Sequence, residues 1–529
     1  MYGVNTIMNL VAFCNKVIEY SFYALFFLVP LVFASNTSEL FELNKMWLTW
    51  GLTIVIGAFW FTKMILQRKI FIQKTPLDLF IGLFLTSQII STIFSWDRHI
   101  SFWGYYSRFN GGLLSIVTYI FLYYAFVSNF EDKAKVVFRI LYVSLISGLI
   151  VALWGLPSHF GYDPTCFIFR GNFDVSCWTA DFLPRVRIFS TLGQPAWLAA
   201  YLAILIPIAT AFLLSKWKMV NGKWKILLIA SLLSLIALFY IDLLFTLARS
   251  GILGLYLSLA FFFLSYVWIK RKSIKSQSLP LTILIVVFLI ITFIIGIPIP
   301  KLNNFTLPGL RQNFERTKLP NIPQDQPPQP TVSGGTESGE MRLLVWEGAL
   351  NAWKNHPLFG TGVETFAFAY YKYKPVGQNL TSEWNFLYNK AHNEYLNYLS
   401  TTGLFGLGSY LAMIGGFIFL FFKNKSPNIE YRTFLLGLLA SYISILITNF
   451  FGFSVVITNI YLFLIPAFVF ILGGMIPQEE KNLPKVHYET TIWQWTPIFL
   501  ASIAALFMLI TLFNFWRADI SYSRGYNLN

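Results

Sequence analysis

The stretch LTILIVVFLIITFIIGIPI, Leu281–Ile299, runs nineteen residues without a charge. An α-helix rises about 1.5 Å per residue, so this length covers the roughly 30 Å of a bilayer's hydrocarbon. At Pro300 the character changes, and Pro300–Thr401 is polar, basic and broken by prolines. On either side of that segment apolar runs of similar length recur. Thirteen are counted, from Val17–Ser35 to Trp495–Trp516; twelve is the other count, because Gly112–Val127 is short and the break at Phe451–Ser454 is weak. The chain is 56% hydrophobic and 12% charged, which excludes a soluble globule, where about 25% of residues carry charge. The expected fold is an all-α polytopic membrane protein with about 12–13 transmembrane helices and one large helical loop. Its expected parts are residues 1–299 with about nine spans, the loop 300–401, further spans in 402–516, and a tail, 517–529.

Charge orients these spans. With the N-terminus in the cytoplasm, the inner connectors carry about eighteen Lys and Arg, such as Arg68, Lys133, Lys216, Lys270, Lys423 and Lys481. The short outer connectors hold four: Lys45, Arg98, Arg108 and Arg249. This positive-inside bias puts the large loop and Pro157–Gln194 on the extracytoplasmic side. Part of the net charge of +15 is therefore topological, and no nucleic-acid partner is implied. The outer loops are nonetheless basic themselves, which suits an anionic ligand. Cys166 and Cys177 share the Pro157–Gln194 loop and either close a small ring or remain thiols. No cleavable leader is expected, since many spans follow the first apolar run.

Within the large loop, Met341, Leu344, Val345, Ala349 and Ala352 recur at helical spacing, so Met341–Asn355 reads as an amphipathic helix. Val363–Lys374 is a second, aromatic helix, and a third runs from near Asn389 to Gly403 with His392 on its packed side. Residues 319–340 lack apolar periodicity and read as a linker. His392 is either a hydrogen-bonded interior histidine or a base, and His356 reads as structural at a helix end. Arg249 sits in a connection with almost no loop to dilute it. An arginine at the edge of hydrocarbon either snorkels to headgroups or meets an anion. Asp242, seven residues earlier, is expected on the same helical face, about two turns deeper. No HExxH, paired-Cys or dense acidic motif indicates a metal, and no Gly-rich phosphate loop is present. No cofactor is expected. A histidine with several arginines at a membrane surface suits transfer from a lipid carrier with a phosphate leaving group, because guanidinium groups grip phosphate oxygens in pairs.

Four segments, in this order, resemble the O-antigen ligase and O-antigen polymerase superfamily of bacterial membrane glycosyltransferases. They are RIFSTLGQPAWLA (Arg187–Ala199), LARSGILG (Leu247–Gly254), RLLVWEGAL (Arg342–Leu350) with HPLFGTG (His356–Gly362), and AHNEYLNYL (Ala391–Leu399) with GLFGL (Gly403–Leu407). The resemblance covers about residues 186–422. It implies a type-C glycosyltransferase-like fold in the cytoplasmic membrane of a bacterium. It further implies inverting, metal-independent transfer of a glycan from undecaprenyl diphosphate to a hydroxyl of a glycan, lipid or protein acceptor. His392 would be the base, and Arg249 and Arg342 would hold the diphosphate. Arg187 would be a secondary phosphate or glycan contact, with Asn393 and Glu394 neighbours of the base and Asp242 a further substrate-side candidate. Aromatics of Phe366–Tyr373 either stack on sugars or pack.

The thirteenth run departs from the roughly twelve spans typical of the family's ligases and makes an acceptor other than lipopolysaccharide more plausible. The tail resembles the lead-in to a helical repeat domain carried by some relatives. The alternatives are a polymerase of the same superfamily or, in a different class, a transporter or flippase of lipid-linked sugars. A transporter would call for inverted repeats and several midplane charges. Only Asp242 is a clear midplane acid.

Overall fold

The computed structural model describes residues 2–130, 132–179, 182–219, 223–271, 278–318, 338–424, 431–476 and 492–528. Those residues contain helices and connectors and no strand. Thirteen apolar helices occupy the thirteen apolar runs. They are α1 (Tyr2–Leu28), α2 (Glu42–Leu66), α3 (Asp78–Ile93), α4 (Leu113–Asn129), α5 (Lys133–His159), α6 (Pro195–Met219) and α7 (Lys223–Phe245). Then come α8 (Arg249–Lys270), α9 (Ser278–Ile295), α10 (Glu394–Lys423), α11 (Arg432–Phe450), α12 (Val456–Leu472) and α13 (Ile492–Leu528). Among the described residues nine helices are long and apolar enough to cross a membrane, while α3, α4, α9 and α12 are shorter apolar helices. The protein is an all-α, multi-pass membrane protein.

Burial sorts the helices. α12 is apolar all round and buries every residue except Asn459, and α6 is nearly as enclosed, so these two form the centre. A helix without a polar face must be covered by protein or lipid on all sides. Small residues bring the backbones of α6, α8 and α11 together. A Cβ built on Gly251 of α8 would lie 2.4 Å from the Ala199 Cβ of α6, and one on Gly437 of α11 would lie 2.7 Å from that of Ala211. Such small-on-small contacts are how helices associate where lipid removes the hydrophobic drive. The first contact also fixes where α8 begins, and with it Arg249.

At the periphery α13 packs on α2. The Trp47 indole N–H donates to the Leu512 carbonyl at 3.0 Å, and that of Trp516 to Asn44 Oδ1 at 2.9 Å. The helix does not stop at Trp516. It continues through Leu528, so the described residues of the tail are helical, and Asp519 there accepts hydrogen bonds from Ser38 N (2.8 Å) and Oγ (2.6 Å).

The large loop has its own core. Met341, Val345 and Ala349 of the Ser338–Asn355 helix pack on Phe366, Tyr370, Tyr388 and Ala391. The second loop helix is Phe366–Tyr373, and its buried aromatics belong to this core, which removes Phe366 and Tyr370 from the sugar-stacking candidates. Residues 319–337 of the linker lie outside the described residues, while Ser338–Glu340 are already helical.

The third loop helix differs from expectation. It starts at Glu394 rather than near Asn389, and it passes directly into α10. Asn393 is the N-cap, its Oδ1 accepting from Leu396 N at 3.0 Å, so His392 precedes the helix instead of lying on one of its faces. A short polar side chain competes for the backbone N–H groups at a helix start, and that local bond outweighs the apolar spacing. Gly403 does mark a break, with φ +66 inside α10. A side chain there would strike the Leu358 carbonyl, and Leu404 N donates to the Pro357 carbonyl at 2.8 Å. The HPLFGTG segment and the glycine at the break thus dock by backbone contact. In the Pro157–Gln194 loop Cys166 and Cys177 are joined as a disulfide.

Candidate active site

A cavity of about 490 Å³ opens where four connections meet: residues 182–195, the start of α8, the His392 turn, and the α11–α12 connector. Arg187, Arg342 and His392 line it together, with Trp197, Ser250 and Phe453. All four of the segments singled out in the sequence therefore contribute to one chamber.

His392 holds a left-handed backbone conformation, φ +50. Non-glycine residues in that region carry roughly 1–3 kcal/mol of strain, tolerated where the surroundings over-determine the geometry. Here those surroundings are visible. Ala391 N donates to Asn397 Oδ1 at 3.3 Å, and Lys390 is paired with Glu364, itself at φ +60. The imidazole lies 5.6 Å, centre to centre, from both Tyr388 and Phe453. Among the described residues no hydrogen bond occupies its ring nitrogens. Burial first, then the charges of Arg342 and Arg108, pull its pKa down to about 4. The ring is accordingly neutral near pH 7 and offers a lone pair to the cavity.

The cations form a chain around it. Arg249 is the first residue of α8, where the helix dipole already presents positive charge; a cation there is electrostatically uphill unless an anion is to be held. Its Nε donates to the Pro298 carbonyl at 3.0 Å, and its neighbour Ser250 lines the cavity. Burial, then the charge of Arg249, presses the Arg342 pKa below its usual range. At the rim, Arg187 donates through Nε to the Thr246 carbonyl at 3.0 Å. Its pKa is lowered by partial enclosure and then by Arg342. Cations that depress one another's pKa share a space in which an anion would be welcome.

The other candidates are placed elsewhere. Asn393 and Glu394 are buried, the first engaged as the N-cap and the second facing a separate small cavity. Asp242 is wholly buried inside the bundle, without a hydrogen-bond partner for either carboxylate oxygen among the described residues. It does not share a helical face with Arg249: α7 ends at Phe245, Leu247 turns the chain at φ +52, and α8 starts afresh. His356 packs edge-on against Trp96 with Tyr373 Oη at 3.3 Å from Nε2, away from the cavity.

One cation was missed by sequence reasoning. The Arg108 guanidinium lies 5.3 Å from the Trp197 ring centre and 5.4 Å from that of Phe453, both of which line the cavity. Its Nη1 is buried without a hydrogen-bond partner. The signal available was the segment GYYSRFNGG, Gly104–Gly112, an arginine among aromatics between glycines. Four of its residues, Gly104, Ser107, Phe109 and Gly111, have positive φ.

Residues 235–411 match the family described as O-Antigen ligase. A comparison with curated proteins found no match. The matched span contains Arg249, Arg342 and His392, while Arg108 and Arg187 lie before it.

Proposed function

We propose that this chain, which belongs to the O-antigen ligase and polymerase superfamily, transfers a glycan from an undecaprenyl-diphosphate carrier to an acceptor hydroxyl, with inversion and without a metal. The site would face the outer side of the bacterial cytoplasmic membrane, the orientation that the positive-inside bias favours. The observation that carries this reading is the convergence of an unbonded, neutral His392 with Arg187 and Arg342, and with Arg249 beside them, in one cavity.

The chemistry follows from that geometry. The acceptor oxygen attacks the anomeric carbon on the face opposite the diphosphate and passes its proton to the His392 imidazole. The bond from the anomeric carbon to the phosphate oxygen breaks, and its electron pair leaves with the carrier diphosphate. The charge that develops there is met by Arg249 and Arg342, with Arg187 at the rim. A positioned base contributes about 10²–10⁴-fold, and preorganised cations at a developing oxyanion about 3–4 kcal/mol. Ligation and polymerisation share these steps and differ in the acceptor, which is a glycan, a lipid or a protein.

The test uses a strain lacking the gene, complemented with His392→Ala, Arg249→Gln or Arg342→Gln at matched membrane levels. Each variant is expected to leave lipid-linked glycan unconsumed, with surface glycoconjugate down at least tenfold. Normal consumption in all three would discard the mechanism.

A further inference from the structure

We propose that the small cavity beneath the His392 turn is a binding site for a monovalent metal cation of the sodium class. The cavity, of about 20 Å³, is bounded by Gln88 of α3, Glu364, Lys390 and Glu394, with Ser454 and Asn459. It is distinct from the reaction cavity.

Three acceptor oxygens there lack a partner among the described residues: Gln88 Oε1, Glu364 Oε2 and Glu394 Oε2. Their residues are 0%, 4% and 7% exposed, so solvent does not satisfy them. For two of them the other polar atom is engaged: Gln88 Nε2 donates to Ser87 Oγ at 3.1 Å, and Glu364 Oε1 takes the Lys390 ammonium. Buried polar atoms left unmatched cost about 1–3 kcal/mol each, more when charged, so three together point to a ligand.

The character of that ligand follows from the atoms. All three are oxygens and all are acceptors, which selects a hard cation. With both carboxyls ionised, the one ammonium leaves a single negative charge, which a monovalent ion would cancel and a divalent ion would overshoot. A single water fits in about 10–15 Å³, so the volume is adequate, but its two protons cannot serve three acceptors and it cancels no charge. Gly111 keeps the space open: a Cβ there would lie 2.3 Å from Glu364 Oε1 and 3.0 Å from Lys390 Nζ.

Lys390 and Glu394 bracket His392 in the chain, and Lys390 Nζ lies 5.8 Å from the ring centre of Phe453, against which His392 also packs. A cation drawing Glu364 and Glu394 together would clamp the turn that sets the imidazole. Its role is positioning: no bond in the transfer forms or breaks on it, so the chemistry itself remains metal-independent.

The experiment measures ²²Na⁺ binding to the purified full chain by scintillation proximity, and thermal unfolding in sodium chloride against choline chloride at equal ionic strength. The expected result is saturable binding of about one ion per chain and a higher unfolding temperature in sodium. Glu394→Gln and Gln88→Leu are each expected to weaken binding at least tenfold, while His392→Ala retains it. If one of the two fails to fold, the other carries the test. Absence of saturable binding with identical unfolding in both salts overturns the proposal and leaves a proton or water in the cluster. Because binding is read without turnover, this outcome is independent of whether glycan transfer is confirmed.

Discussion

His392 combines two properties that pull against each other: it is positioned as a base, yet burial and two guanidinium groups hold its pKa near 4. A base is most effective when its pKa approaches the working pH. An anionic diphosphate beside Arg342 would neutralise part of that field and raise the pKa once substrate binds. The sign is definite. The neutral ring is the active form, so activity falls as pH drops through the pKa. The acidic limb of kcat/KM, which reports the free enzyme, is expected near pH 4, and that of kcat at higher pH. Arg342→Gln removes a positive neighbour and should move the kcat/KM limb upward; an unmoved limb would separate His392 from the proton transfer. At this scale the sequence was partly legible. Histidine and arginine are rare in an apolar chain, so His392, Arg249, Arg342 and Arg187 stood out by type. Arg108 did not, because its place depends on the positive-φ turn at Gly104–Gly112, which no periodicity encodes. Asp242 stood out for the same reason as the arginines, but its position relative to Arg249 was set by a helix end.

Helices α6 and α8 meet through Gly251 and Ala199, and this contact sets the start of α8, placing Ser250 on the cavity and Arg249 beside it. Gly251→Val should force them apart, costing about 1–3 kcal/mol as overpacking and lowering the unfolding temperature. Because Arg249 moves with the helix start, binding of farnesyl diphosphate should weaken as well. Unchanged binding would mean that the α8 terminus does not shape the anion site. Gly403→Ala places a side chain at φ +66 against the Leu358 carbonyl and should cost a similar amount, read in the same unfolding assay. Apolar run length made all thirteen apolar helices readable, nine of them among the described residues long enough to cross a membrane, since the bilayer's thickness sets such lengths. The stripe from Met341 to Ala352 was equally readable because its burial is periodic. The start of the helix after His392 was not, for there the Asn393 cap overrode a spacing that continued smoothly into the preceding residues.

Taken whole, the bundle is asymmetric in charge, and the proposed reaction needs its cavity on the outer face. With Cys14→Ser as background, Asn385→Cys in the large loop should react with a membrane-impermeant maleimide in intact spheroplasts. Lys69→Cys, after α2, should react only once the membrane is opened. The opposite pattern would invert the orientation that the positive-inside bias favours. The glycan chemistry itself is decided by one experiment. Purified protein in liposomes is supplied with an undecaprenyl-diphosphate-linked oligosaccharide and acceptor, and the anomeric configuration of the product is read by NMR alongside released carrier. The account predicts one undecaprenyl diphosphate freed per glycan joined, with the anomeric centre inverted. Retention of configuration, or passage of the intact lipid-linked sugar across the bilayer without bond cleavage, would contradict it.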